Sequence, residues 1–117
     1  MLYVIVGAGR VGLRTARVLR ESGHEVTLIE RDETAVERAR TAGFNVISGD
    51  GALETNLEAA DLDAADALGA LTGDLNDNFV ACMIAKQHDC RTIMRIDEDY
   101  REEIYRRYAE DVDEVIY

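Results

Sequence analysis

Gly7-Ala8-Gly9-Arg10-Val11-Gly12 is the segment of this 117-residue chain whose residue types and spacing speak most directly of chemistry. It fits GxGxxG, it directly follows an apolar run, and it opens a helical one. Gly7 permits a tight turn, Gly9 lets a diphosphate approach the backbone without meeting a Cβ, and Gly12 lets the helix pack close to the strand. Arg10 and Val11 complete the motif. Free N–H groups at the helix start then face the phosphates, and the helix dipole favours their charge. Glu30 stands eighteen residues after Gly12, close to the roughly 20-residue offset at which an acid meets the adenosine ribose. A carboxylate there accepts hydrogen bonds from ribose hydroxyls and repels a 2′-phosphate, so the two signals together point to NAD(H) in preference to its phosphorylated form.

Other reactive side chains give less. His24 falls in a turn before a second apolar run and His88 at the end of a helical segment, both away from the glycine motif. Cys82 lies among Phe79, Val80, Met83 and Ile84, as a packed thiol would. With Cys90 it makes two cysteines, no CxxC pair and no histidine at ligand spacing, so neither a disulfide framework nor a zinc site is indicated. The formal charge of −11, from 24 acids against 13 basic residues, argues against nucleic acid as a partner. An acidic shell of this kind also fits life in high salt. No stretch approaches the roughly 18 apolar residues of a membrane helix, and the expectation is a cytoplasmic domain.

The elements that position these residues alternate along the chain. Leu2 to Val6 is a continuous apolar, β-branched run and reads as a strand buried on both faces. A helical pattern follows to Ser22-Gly23. Further strands are expected at Glu25 to Ile29, Phe44 to Ser48, Ala67 to Leu71, Thr92 to Ile96 and Val112 to Tyr117. Helices are expected at Glu33 to Thr41, Ala52 to Ala60, Asp74 to Gln87 and Asp99 to Tyr108, the last with Tyr100, Ile104 and Tyr108 on one face and Tyr105 beside them. Six strands alternating with helices imply one α/β domain, a Rossmann doubly wound parallel sheet in the order 3-2-1-4-5-6.

Strand, GAGRVG, strand-end acid, SGDG at Ser48 to Gly51 and LTGDLNDN at Leu71 to Asn78 follow in that order. In this combination the sequence resembles the N-terminal (TrkA-N) domain of the regulator-of-potassium-conductance family, the ligand-binding half of Trk and Ktr potassium-uptake regulators. The resemblance spans essentially the whole chain. It implies a domain that binds NAD(H), ATP or ADP, forms a homodimer or larger ring, and controls a membrane potassium transporter or channel from the cytoplasm without entering the membrane. It places Arg10 over the phosphates, Asp50 and Gly51 on the adenine side, Thr72 and Gly73 near the phosphates or second nucleoside, and Asn78 and Arg95 facing the same cleft. Two positions depart from the family pattern: Glu30 is longer than the Asp often found there, and Arg31 beside it either stacks on adenine or lies in solvent. The second domain that usually follows is not among these residues, as expected of a piece of a longer protein.

Other readings stay open. Asp50 and Asp74 suit helix caps, and Thr72-Gly73 suits a simple turn. The competing function is the cofactor domain of an NAD-dependent oxidoreductase, which also needs a substrate site and a proton-transfer group that the sequence does not display. The expectation is a regulatory module and not an enzyme.

Overall fold

The computed structural model describes residues 1–96, 103, 107 and 110–117. Its strands are β1 (Leu2–Val6), β2 (Glu25–Glu30), β3 (Asn45–Ser48), β4 (Ala67–Ala70), β5 (Arg91–Arg95) and β6 (Glu114–Ile116). Between them run the helices α1 (Arg10–Glu21), α2 (Glu33–Thr41), α3 (Glu54–Ala59) and α4 (Leu75–Gln87), with a 3-10 turn at Leu62–Ala64 after α3. The strands form one parallel sheet in the order β3-β2-β1-β4-β5-β6, the order expected from the alternation.

The doubly wound arrangement follows from the two-residue period of the strands. On β1, Val4 and Val6 join the core formed with Leu57 of α3, Leu62, Leu68, and Ala81 and Cys82 of α4. Ile5 between them joins the opposite core with Leu13 and Ala16 of α1, Leu28, and Val36 and Ala39 of α2. A strand that must be apolar on both faces has no polar alternation to display, which is why LYVIV reads as a continuous run. Cys82 is fully buried and burial pushes its thiol up to about 12, so it packs as an apolar residue and not as a nucleophile.

Several boundaries differ from expectation by one or two residues, each for a local reason. Phe44 lies before β3, buried beneath the Arg20 guanidinium, which stacks 3.8 Å from its ring centre. α3 starts at Glu54 and not at Ala52, because Asp50 Oδ1 accepts the Ala52 N–H at 2.8 Å and holds that segment in a turn. Asp74 stands outside α4 as its cap, accepting the Asp77 N–H at 3.0 Å. β6 is shorter than expected because Asp113 turns its carboxylate onto Thr92, accepting the Thr92 N–H at 2.7 Å. Of the helix expected from Asp99 to Tyr108, Glu103 and Arg107 are described and both are helical, while its tyrosine face lies outside the described residues. Among the described residues, no helix is long and apolar enough to cross a membrane.

His88, just past α4, straps the α3 side of the sheet together. Its Nδ1 lies 2.6 Å from Asp63 Oδ1 in the 3-10 turn, and its Nε2 lies 3.1 Å from Glu54 Oε2 at the start of α3. The hydrogen bond to Asp63, then that to Glu54, raises its pKa above the ordinary 6.5. The folded state therefore favours the protonated ring. Its contribution to stability is complete below 6.5 and is lost as pH rises through the raised value. Urea midpoints followed by circular dichroism should fall across that window, and His88→Gln should flatten the fall; an unchanged slope would remove the strap from the account.

Candidate functional site

The strand ends that share one edge of the sheet enclose a cleft of about 240 Å³. Its floor is Val6 and Ile29, and its walls are the turn after β1 (Gly7, Gly9), the end of β2 (Glu30, Arg31), the loop after β3 (Gly49, Asp50, Gly51) and the loop after β4 (Leu71 to Asp74), with Asp77 on the first turn of α4. A second cleft of about 330 Å³ continues past Thr72, Gly73 and Asp74 to Leu75, Asn76, Asn78 and Arg95. The first opens at the switch point where the order reverses between β1 and β4, the place where open parallel sheets leave a crevice, and the second lies beside it at the ends of β4 and β5.

The glycine turn owes its shape to two close approaches. Gly7 has φ +104°, a conformation that L side chains rarely adopt. A Cβ on Gly12 would sit 1.8 Å from the Gly7 carbonyl oxygen, so only glycine lets α1 begin this close to β1. Gly9 is the opposite case: a Cβ there would meet nothing within 4 Å, and its φ of −77° suits any residue. The space above Gly9 is open cleft. α1 begins beneath it with no side-chain cap and no acid in its first turn. α2 and α4, by contrast, are capped by Asp32 and Asp74 and carry Glu33 and Asp77 in their first turns. The N–H groups at the α1 terminus are thus left for a group from outside the chain, and their dipole favours an anion.

Glu30 anchors this turn. Its Oε1 accepts the Ala8 N–H at 2.7 Å, and its Oε2 accepts the N–H groups of Arg31 and Asp32, both at 2.9 Å. Three of the roughly four acceptor positions of a carboxylate are thereby used by backbone. The long Glu side chain spans from β2 to the loop after β1, a role that its distance along the sequence did not reveal.

Asn78 plays a corresponding part on the other side. It is 1% exposed. Its Oδ1 accepts the Thr72 N–H at 3.1 Å and the Thr72 hydroxyl at 2.6 Å, while its Nδ2 donates to the carbonyls of Thr72 at 2.9 Å and Arg95 at 3.1 Å. The amide ties the end of β4 to the end of β5. The Thr72 hydroxyl in turn accepts the Asp74 N–H at 3.1 Å, which shapes the turn leading into α4.

Gly7, Gly9, Glu30, Arg31, Asp50, Gly51, Thr72 and Gly73 therefore come together around the first cleft, and Asn78 and Arg95 border the second. Arg10, Val11 and Gly12 are not among the lining residues: Arg10 is exposed at the start of α1, Val11 packs against the α1 and α2 core, and Gly12 is buried against Gly7. Asp50 both faces the cleft and caps the turn into α3. Asp77 was not singled out in the sequence. It lines the cleft and pairs with Arg31 at 3.3 Å, and only its place in the first turn after the fourth strand hinted at this.

Residues 3–117 match the family model of the TrkA-N domain. The chain belongs to the TrkA-N domain family. Among the relatives of this TrkA-N domain is the Trk system potassium uptake protein TrkA homolog of Pyrococcus abyssi, 38% identical over 113 residues. That match covers 94% of this chain but 50% of the relative, so the chain spans about half that protein's length. Among solved structures, the TrkA-N domain of the inner membrane protein ybaL from Escherichia coli superposes with a TM-score of 0.85 at 24% identity, covering 97% of this chain and 84% of that one. The GsuK channel bound to NAD gives a TM-score of 0.77 at 19% identity, over 97% of this chain and 21% of the channel. At such identities the two structures establish the shared fold.

Truncating the amide brace should be costly, because it leaves partly buried Thr72 and Arg95 backbone groups without this partner. Asn78→Ala is expected to lower the unfolding free energy by about 1–3 kcal/mol, read from denaturant titration; a loss under about 0.5 kcal/mol would show that water replaces the brace.

Proposed function

We propose that this TrkA-N domain is the nucleotide-sensing module of a potassium uptake system, that its ligand is NAD(H), and that it acts from the cytoplasm as part of a homo-oligomer controlling a membrane potassium transporter. The observation that carries the ligand reading is the uncapped start of α1 beneath Gly9, with nothing within 4 Å of the position a Cβ would take. A diphosphate there would accept the free N–H groups and complete the helix terminus. Gly7 and Gly12 hold the turn, Glu30 keeps acceptor capacity toward a ribose, and Asp50 and Gly51 border the adenosine end. Two clefts joined at Thr72, Gly73 and Asp74 favour a dinucleotide over ATP or ADP, since a mononucleotide would leave the second one unused. The potassium role rests on family membership and on the relatives' names.

The oxidoreductase alternative finds less support. Among the described residues, neither cleft is lined by a histidine, cysteine or lysine, the groups that most often relay a proton or attack a substrate. His24 packs edge-on against Tyr3, with ring centres 5.1 Å apart, at the opposite end of the strands.

Calorimetric titration with NADH and NADPH tests the reading. NADH should bind at least about tenfold tighter than NADPH, because even about a third of the repulsion of a unit charge near Glu30 gives that factor. Gly9→Val should abolish NADH binding with an unchanged far-UV spectrum, since the added side chain meets only open cleft. Retained binding in that variant, or equal affinity for the two dinucleotides, would refute the assignment.

A further inference from the structure

The walls of the first cleft carry an unexpected charge for a site that takes an anion. Its lining includes Glu30, Asp50, Asp74 and Asp77, and Arg31 is the one cation among the described lining residues. That cation is already engaged. Arg31 leaves the end of β2 on one side of the opening, and its guanidinium lies 3.3 Å from Asp77 Oδ2 on the first turn of α4, across from it. The Arg31 side chain is 61% exposed, so the pair sits at the mouth and contributes little to folding. Asp77 has every reason to hold it: burial first, then the neighbouring carboxylates Asp74 and Asp50, push the Asp77 carboxyl above the ordinary carboxylate range, and Arg31 is the charge that pulls it back.

We propose that Asp77 is a specificity-determining residue of the cleft: by holding Arg31 across the opening it withholds the local cation, leaves the walls net negative, and so selects a dinucleotide over nucleotides that end in a free phosphate. This rests on the reading of the cleft as a nucleotide site and deepens it. The discrimination comes from phosphate chemistry. Each phosphate inside a dinucleotide is a diester-like group with a single charge, whereas a terminal phosphate loses its second proton near about pH 6 and carries close to two charges at neutral pH. The open α1 terminus attracts both ligands, but the surrounding carboxylates repel the more highly charged one more strongly. ADP and ATP are thus disfavoured by the same walls that accept NAD(H).

The test is a set of calorimetric titrations with NADH, ADP and ATP, without divalent cations and at fixed low salt, on the unmodified chain, Asp77→Asn, Arg31→Gln and the double variant. Asn keeps the shape of Asp77 and its backbone N–H bond to Asp74, so the fold is retained, and melting curves verify it. The unmodified chain should prefer NADH. Asp77→Asn should tighten ADP and ATP about fivefold more than NADH, and in the Arg31→Gln background that gain should shrink, the mark of two coupled residues. An unchanged NADH-to-ADP ratio in Asp77→Asn, or an equal gain with and without Arg31, overturns the role of Asp77 while leaving the nucleotide site standing. Absence of binding by every nucleotide in the unmodified chain overturns both.

Discussion

The approach of α1 to β1 at Gly12 is the constraint on which the site depends. A helix can begin directly at the carboxyl edge of a sheet only if its first turn tolerates contact with the preceding carbonyl, and here a Cβ on Gly12 would lie 1.8 Å from the Gly7 oxygen. Beside that contact, Gly7 takes its positive-φ turn and Gly9 faces open space with the bare helix terminus below it. A bare, positively polarised helix terminus follows from backbone geometry before any charged side chain is considered. The glycines are therefore unequal: one sets a turn, one permits packing, and one keeps a space empty.

Two polar side chains then hold the edges of that position in place. Glu30 joins β2 to the glycine turn through the Ala8 N–H, and Asn78 joins the ends of β4 and β5 through Thr72 and Arg95. Both do through hydrogen bonds what apolar packing cannot do at a sheet edge, where the cores on either face have ended. Each bond replaces water on a backbone group, and in the buried Asn78 every donor and acceptor is matched, so the network is rigid as well as inexpensive to bury. The cleft between them is acidic apart from Arg31. On the proposed nucleotide reading, attraction for an anion comes from oriented N–H groups, which would make the site responsive to how much charge a ligand carries and where it carries it.

The fold was legible because parallel strands buried on both faces cannot hide: LYVIV, EVTLI and ALGAL are short apolar runs separated by helical segments, and the sheet order follows from alternation. The glycine motif was legible for the same reason, being a local solution to a local steric problem. What the sequence did not display were the partners that three polar side chains find in the fold. Glu30 reads as a ribose acid by offset, yet most of its acceptor capacity serves backbone. Asn78 reads as a residue facing a ligand, yet its amide is a brace. Asp77 reads as one acid among many in a chain of net charge −11, and only the fold brings it opposite Arg31. Pairings across more than about a dozen residues depend on where strands end, and no spacing rule records that.

Relatives of this TrkA-N domain are named potassium uptake proteins, and the proposed sensing role requires that the bare helix terminus be the place where the nucleotide is felt. Backbone amide shifts of the isotope-labelled domain, recorded while NADH is added, test that claim most directly. Saturable changes are expected, largest at Gly9, Arg10 and Val11, with smaller ones at Arg31, Asp32, Thr72 and Gly73. Changes centred elsewhere, for example on the outer face of α2 around Glu37 and Arg40, or no saturable change at all, would contradict it.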